Sequence, residues 1–127
     1  MEWTFKEGIP IYTQIVDKVK ISIASGLYEP GAKLPPVRDM ALEAGVNPNT
    51  MQKAFAQLER EGLLYSVRTS GRFVTEDREM IEDAKRTLAN RHISAFIRQM
   101  QALGYTRQEI VAMLEESERG EEHDANS

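Results

Sequence analysis

The chain has no cysteine among its 127 residues and only two histidines. Without thiols there are no disulfides, no thiolate zinc sites and no cysteine nucleophile. His92 falls inside a long helical pattern, beside its apolar stripe, and reads as an interface or core residue; His123 lies in a polar tail. There is no HExxH, no phosphate-cradling glycine loop and no nucleophile elbow. Acidic pairs such as Glu82-Asp83 and Glu115-Glu116 read as solvated faces. An enzyme, a metal site and a cofactor are therefore not expected. No apolar run approaches the ~18 residues of a membrane span. The opening MEWTFKEGIPIY carries acids and lacks an apolar h-region, so neither a signal peptide nor a membrane partner is read. A cytoplasmic protein is the simplest expectation. Excess positive charge is also lacking: the net charge is −4. It is uneven, however. Residues 1–75 hold nine Lys/Arg against eight Asp/Glu, whereas residues 76–127 hold seven against twelve. Any nucleic-acid contact in the first part must rest on local clustering of cations.

What the chain does have is periodicity. A hydrophobic share of 41% is enough for a packed core. Ile11, Ile15, Val19 and Ile23 recur every four residues, one helical stripe, and Gly26 stands where that helix would end. Pro30-Gly31 and Pro35-Pro36 mark a turn and an extended connection. A short helix is expected from about Pro36 to Ala44, with Val37, Met40 and Ala41 inward and Gly45 stopping it. Asn47-Pro48 then reads as an N-cap followed by proline at N1. The helix it starts carries Met51, Ala54, Phe55 and Leu58 on one face and stops at Gly62.

After Gly62 the period shortens. LLYSV and RFVT are β-prone, and RTSG between them is a turn, so a two-stranded hairpin is expected. Helix, short helix, tight turn, helix and hairpin together make a winged helix-turn-helix over residues 1–75. The fold class is mostly α with one small β-hairpin. From Thr75 a long helix is expected, to about 103. Gly104 closes it, and Thr106 with Glu109 forms a capping box for a last helix over 106–118. Residues 76–119 read as a helical dimerisation segment and residues 120–127 as a flexible polar tail.

The edge of the third helix carries the chemistry. A recognition helix puts its N-terminal residues into the major groove. Here those are Asn47, Asn49 and Thr50, with Gln52 and Lys53 one turn on. Asn and Gln can bond adenine bidentately, and Thr can meet a phosphate or a thymine methyl. The competing reading is that Asn47 and Thr50 only cap the helix and that Gln52 and Lys53 form a solvated face. Arg38 and Lys33 are placed for phosphate, unless Arg38 pairs with Asp39 or Glu43. The hairpin tip, Arg68, Thr69, Ser70, Gly71 and Arg72, can follow the backbone or put an arginine into the minor groove.

The stretch PGAKLPPVRDMALEAGVNPNTMQKAFAQLEREGLL…RTSGRFV resembles the DNA-binding domain of GntR-superfamily transcriptional regulators, from about Ile11 to Val74. The anchors are Pro30-Gly31, Leu34-Pro35, Arg38, Val46, Thr50, Leu58, Glu61-Gly62 and Gly71…Phe73-Val74. The VNPNT form and the short remainder resemble the YtrA-like subfamily. That resemblance implies two appended helices that dimerise, and often control of a transporter operon. It places DNA contacts on Arg38, Asn47, Asn49, Thr50, Gln52 and Arg68. Two positions depart from the pattern: Pro36 replaces a usual serine, and Thr69 replaces a usual wing-tip glycine.

The expected partners are double-stranded DNA and a second copy of the chain. Ile81, Ala84, Leu88, His92, Phe96, Met100, Leu103, Ile110 and Leu114 form the expected dimerisation face, because so long a stripe has little to cover it within one short chain. A repressor on a palindromic operator is the expected mode. A small effector near Tyr105, His92 or Phe96 is the weaker expectation. The alternative is a winged-helix adaptor that binds a protein and no DNA. The negative charge favours it, and the polar Asn-Pro-Asn-Thr edge opposes it.

Overall fold

Alternation of helical and extended periods yields seven elements in the computed structural model. It describes residues 1–126, with side chains through residue 120. The helices are α1 (Ile11–Ala24), α2 (Val37–Ala44), α3 (Pro48–Arg60), α4 (Arg78–Ala102) and α5 (Arg107–Asn126). Between α3 and α4 lie β1 (Leu64–Val67) and β2 (Gly71–Val74). These pair antiparallel, in the register Leu64 to Val74 and Val67 to Gly71. The fold class read from the sequence is the one observed.

Two compact units divide the chain, Met1–Thr87 and from Leu88 onward. In the first, α3 packs against α1, α2 and β1. Its apolar face, Met51, Ala54, Phe55 and Leu58, is wholly buried, as are Ile15 and Val19 of α1. Leu34, Leu63, Leu64 and Val74 close the core from the connection and the hairpin. Three backbone links hold the connection to the wing: Gly31 N–H to Val74 C=O at 3.0 Å, Leu34 N–H to Arg72 C=O at 2.9 Å and Val74 N–H to Ala32 C=O at 2.9 Å. Residue 33 thus runs beside β2 as a third, one-bridge strand, with Lys33 opposite Phe73.

The start of α4 differs from expectation. Asp77 caps it, its Oδ1 accepting from the Met80 N–H at 3.2 Å. Ile81 then enters the core of the first unit, and Met80 and Ala84 pack against that core. The hairpin and three short helices leave this part of the core open, and the first turns of α4 cover it. Of the residues expected on the dimer face, Ile81 is therefore buried within the chain and Ala84 is half-buried against the same core.

The second unit holds the rest of α4 and α5. Thr106 and Glu109 make the expected capping box: the Thr106 N–H donates to Glu109 Oε1 at 3.0 Å, and the Glu109 N–H donates to Thr106 Oγ1 at 3.2 Å. α5 continues past the expected end at 118, to Asn126. Apart from Gly120, the expected tail at 120–127 and His123 lie outside the residues whose side chains are described. No helix among the described residues is long and apolar enough to cross a membrane.

Candidate nucleic-acid interface

The turn between α2 and α3 is built by Gly45, whose φ of 71° lies in the left-handed region that a side chain resists. The chain then folds back, with the Val46 N–H reaching Ala41 C=O at 3.0 Å. Asn47 is extended at ψ 133°, and its side-chain oxygen accepts from the Asn49 N–H at 2.7 Å. Capping thus takes the oxygen of Asn47 and leaves its amide nitrogen as a donor. No acid occupies the first turn of α3, so the positive end of the helix is not neutralised there. Asn49, Gln52 and Lys53 are exposed and Thr50 is half-buried. They line the side of α3 opposite the buried Met51, Ala54, Phe55 and Leu58.

Pro36 stands at the N-cap of α2 and supplies no side-chain cap. The first N–H groups of that helix are therefore open to an anion, although Asp39 in the first turn opposes one. Arg38 is exposed there. The wing stands over the same end of the domain. A cleft of about 300 Å³ is lined by Lys33, Pro35 and Pro36 on one side and by Thr69, Ser70, Gly71 and Arg72 on the other. Arg68, Thr69, Ser70 and Gly71 are all exposed. A Cβ added at Gly71 would sit 3.2 Å from Lys33 Cε, so the bare glycine lets the lysine stem lie along the wing. Thr69 has a φ of 74°, the one non-glycine residue with positive φ among the described residues. The conformation that a wing-tip glycine would take without strain is thus retained by a β-branched residue.

Two cations expected on DNA have partners inside the protein. Lys53 Nζ sits 3.9 Å from the ring centroid of Tyr12 on α1. Arg72 turns inward: its Nε donates to Glu59 Oε1 at 2.8 Å, and its guanidinium lies 5.4 Å from the centroid of Phe55. Its NH1 donates to Gln52 Oε1 at 3.3 Å. Arg72 is thus a tether from the wing to α3 rather than a free cation at the tip. Glu59 also accepts from Ser66 Oγ. Burial pushes the Glu59 carboxyl up, but the hydrogen bonds from Ser66 and Arg72 and the charge of Arg72 outweigh it. The group is held below the ordinary carboxylate range. Tyr12, Glu59 and Ser66 were not singled out from the sequence. Each meets its partner on a different element: Tyr12 of α1 meets α3, and Glu59 of α3 meets the hairpin, where Ser66 lies.

The second unit carries a groove of about 470 Å³, lined by His92, Ile93, Phe96 and Ile97 of α4 and by Arg107, Ile110, Val111 and Leu114 of α5. Of the expected dimerisation residues, Leu88 and Ile110 are buried. His92, Phe96, Leu103 and Leu114 are exposed and Met100 is half-buried. Ile93 (55% exposed) and Val111 (49%) extend the apolar face beyond those residues.

Known proteins share both sequence and fold with this chain. Residues 11–74 match the family described as bacterial regulatory proteins, gntR family. The uncharacterized HTH-type transcriptional regulator YhcF of Bacillus subtilis is 36% identical over 87% of this chain and 92% of its own length. The HTH-type transcriptional repressor YtrA of the same organism is 34% identical over 72% of each chain. Among solved structures, a GntR family transcriptional regulator from Listeria monocytogenes superposes with a TM-score of 0.82 at 38% identity, covering 88% of this chain and 98% of that one. The DNA-binding domain of AraR in complex with operator ORX1 superposes with a TM-score of 0.55 at 31% identity, over 59% of this chain and 96% of that one.

Proposed function

The chain belongs to the gntR family of bacterial regulatory proteins, a family of non-enzymatic, DNA-binding transcriptional regulators, and on that premise we propose that it is a homodimeric repressor that reads a palindromic operator. The observation that carries this reading is the polar edge of α3, exposed Asn49, Gln52 and Lys53 with half-buried Thr50, set beside Arg38 and the Arg68–Gly71 wing tip. That edge offers donors and acceptors to base edges, and the wing and α2 offer cations to phosphate. Clustering at one end of the domain answers the net charge of −4.

Dimerisation is supported by the apolar face of the second unit. Phe96, Ile93, Val111 and Leu114 together form an exposed patch of the kind a soluble protein covers. A two-fold pair would present its two recognition helices to major grooves roughly 34–36 Å apart. Occlusion of a promoter suits a dimer of this size, and one close relative is named a repressor. A transporter operon is the target class that the YtrA-like resemblance favours, and the cytoplasm is where such a regulator works.

The test is fluorescence anisotropy on the chain's own upstream DNA and on an unrelated duplex, at about 150 mM salt. A preference of at least ~10³-fold, the low end for specific binders, is expected. Absence of binding to either duplex even at low salt would refute the DNA reading and favour the protein adaptor.

A further inference from the structure

A recognition helix is usually read one side chain at a time, but here a residue of the wing touches a residue on the exposed edge of α3. Arg72 leaves β2, crosses the face of Phe55 and is fixed by Glu59, which Ser66 holds in turn. Its remaining reach ends on the side-chain oxygen of Gln52. A guanidinium donates and never accepts. The partner in Gln52 must therefore be the carbonyl oxygen, whichever way the amide is drawn. With one lone pair of that oxygen taken by Arg72 and the oxygen end turned toward the wing, the amide nitrogen is the end of Gln52 that is free to turn to the groove.

This changes what Gln52 reads. A free glutamine reads adenine with both ends, accepting from N6 and donating to N7. In this chain the guanidinium competes with the adenine amino group for the oxygen. The two N–H bonds of the amide call for acceptors, and guanine presents two of them in the major groove, O6 and N7. We propose that Arg72 is a specificity-determining positioning residue, which holds the Gln52 carbonyl and thereby turns Gln52 from an adenine reader into a guanine reader. The inference rests on the reading of α3 as the recognition helix. It extends that reading to a residue that touches no base, and it assigns Glu59 as the residue that holds Arg72 in place.

The experiment is selection of bound duplexes from a randomised pool by the full-length protein, followed by affinities for the selected site and its single-base variants. Four proteins are compared: wild type, Gln52→Ala, Arg72→Met and Glu59→Gln. Arg72→Met keeps an unbranched chain over Phe55 but has no donor; Glu59→Gln keeps the shape of the tether but loses the charge. Circular dichroism and thermal melts of each variant separate loss of fold from loss of reading. Wild type should select guanine at one position per half-site, and Gln52→Ala should lose that preference alone. Arg72→Met should move the same position toward adenine, a relative change of about 10-fold or more, with Glu59→Gln shifting it the same way by less. An Arg72→Met protein that keeps the wild-type guanine preference and merely binds every duplex more weakly overturns the proposal. If Gln52→Ala leaves every base preference intact, Gln52 reads no base, and it is the underlying assignment of the recognition face that fails.

Discussion

Phe55 joins the two halves of the DNA-binding unit, and its removal gives the sharpest test of how that unit is held. Its ring is completely buried among the residues of α1, α2 and the hairpin, and the guanidinium of Arg72 lies over it. Truncating a buried phenylalanine to alanine costs about 3–5 kcal/mol. Losing the cation–π contact of a half-buried arginine adds about 0.5–1 kcal/mol. Phe55→Ala should therefore cost about 3.5–6 kcal/mol. A unit spanning Met1–Thr87 is stable by about 4–13 kcal/mol at the usual 0.05–0.15 kcal/mol per residue. The variant thus loses roughly a quarter of its stability at best and all of it at worst. Urea titration supplies the assay, since the single tryptophan, Trp3, stacks on Phe5 and packs against the same core. With a slope near 2 kcal/mol per molar urea, the midpoint should fall by about 2 M or more, at fixed protein concentration so that assembly does not contribute. Phe55→Leu, which fills most of the space, should restore most of the loss but not the contact with Arg72. A midpoint for Phe55→Ala within about 0.5 M of wild type would refute the account, because the core would then not depend on the ring that centres it.

Other residues give independent checks. Thr69→Gly removes a β-branched side chain from φ 74°; relief of about 1–2 kcal/mol exceeds the entropy cost of about 0.5–1 kcal/mol, so melting temperature should rise slightly, and a fall would mean that no strain is held there. Glu59 has its carboxyl lowered in the folded state, so its stabilising contribution is fully present above the ordinary glutamate range and is lost as pH falls through the lowered value. The stability gap between wild type and Glu59→Gln, read by urea midpoints, should therefore be wide at pH 7 and close on acidification below about pH 4; a gap independent of pH would exclude the charge as its source. Phe96→Asp places a carboxylate in the apolar groove of the second unit. If that groove is a dimer interface, sedimentation should show association weakened by roughly 30-fold or more, as for a central aromatic anchor worth about 2 kcal/mol, and unchanged assembly would remove the groove from the interface.

What the sequence determined by itself was local. Proline at 48 behind Asn47, glycine at 45 and 62, and apolar spacing on α1 and α3 set where helices start, stop and face, because capping and φ preferences act within a few residues. The change of period after Gly62 gave the hairpin, and Thr106 with Glu109 gave the last helix its start, for the same reason. The polar edge of α3 was legible as well, since an amphipathic helix shows its outer face once its inner face is known. What only the tertiary structure decided was who touches whom across the chain. Ile81 belongs to the first core because the hairpin leaves a gap that the next helix fills, a matter of volume that no periodicity records. Lys53 rests on Tyr12, and Arg72 reaches Glu59 and Gln52 across the wing, at separations that carry no pattern. Composition could count those cations as available to DNA; packing shows two of them engaged within the protein.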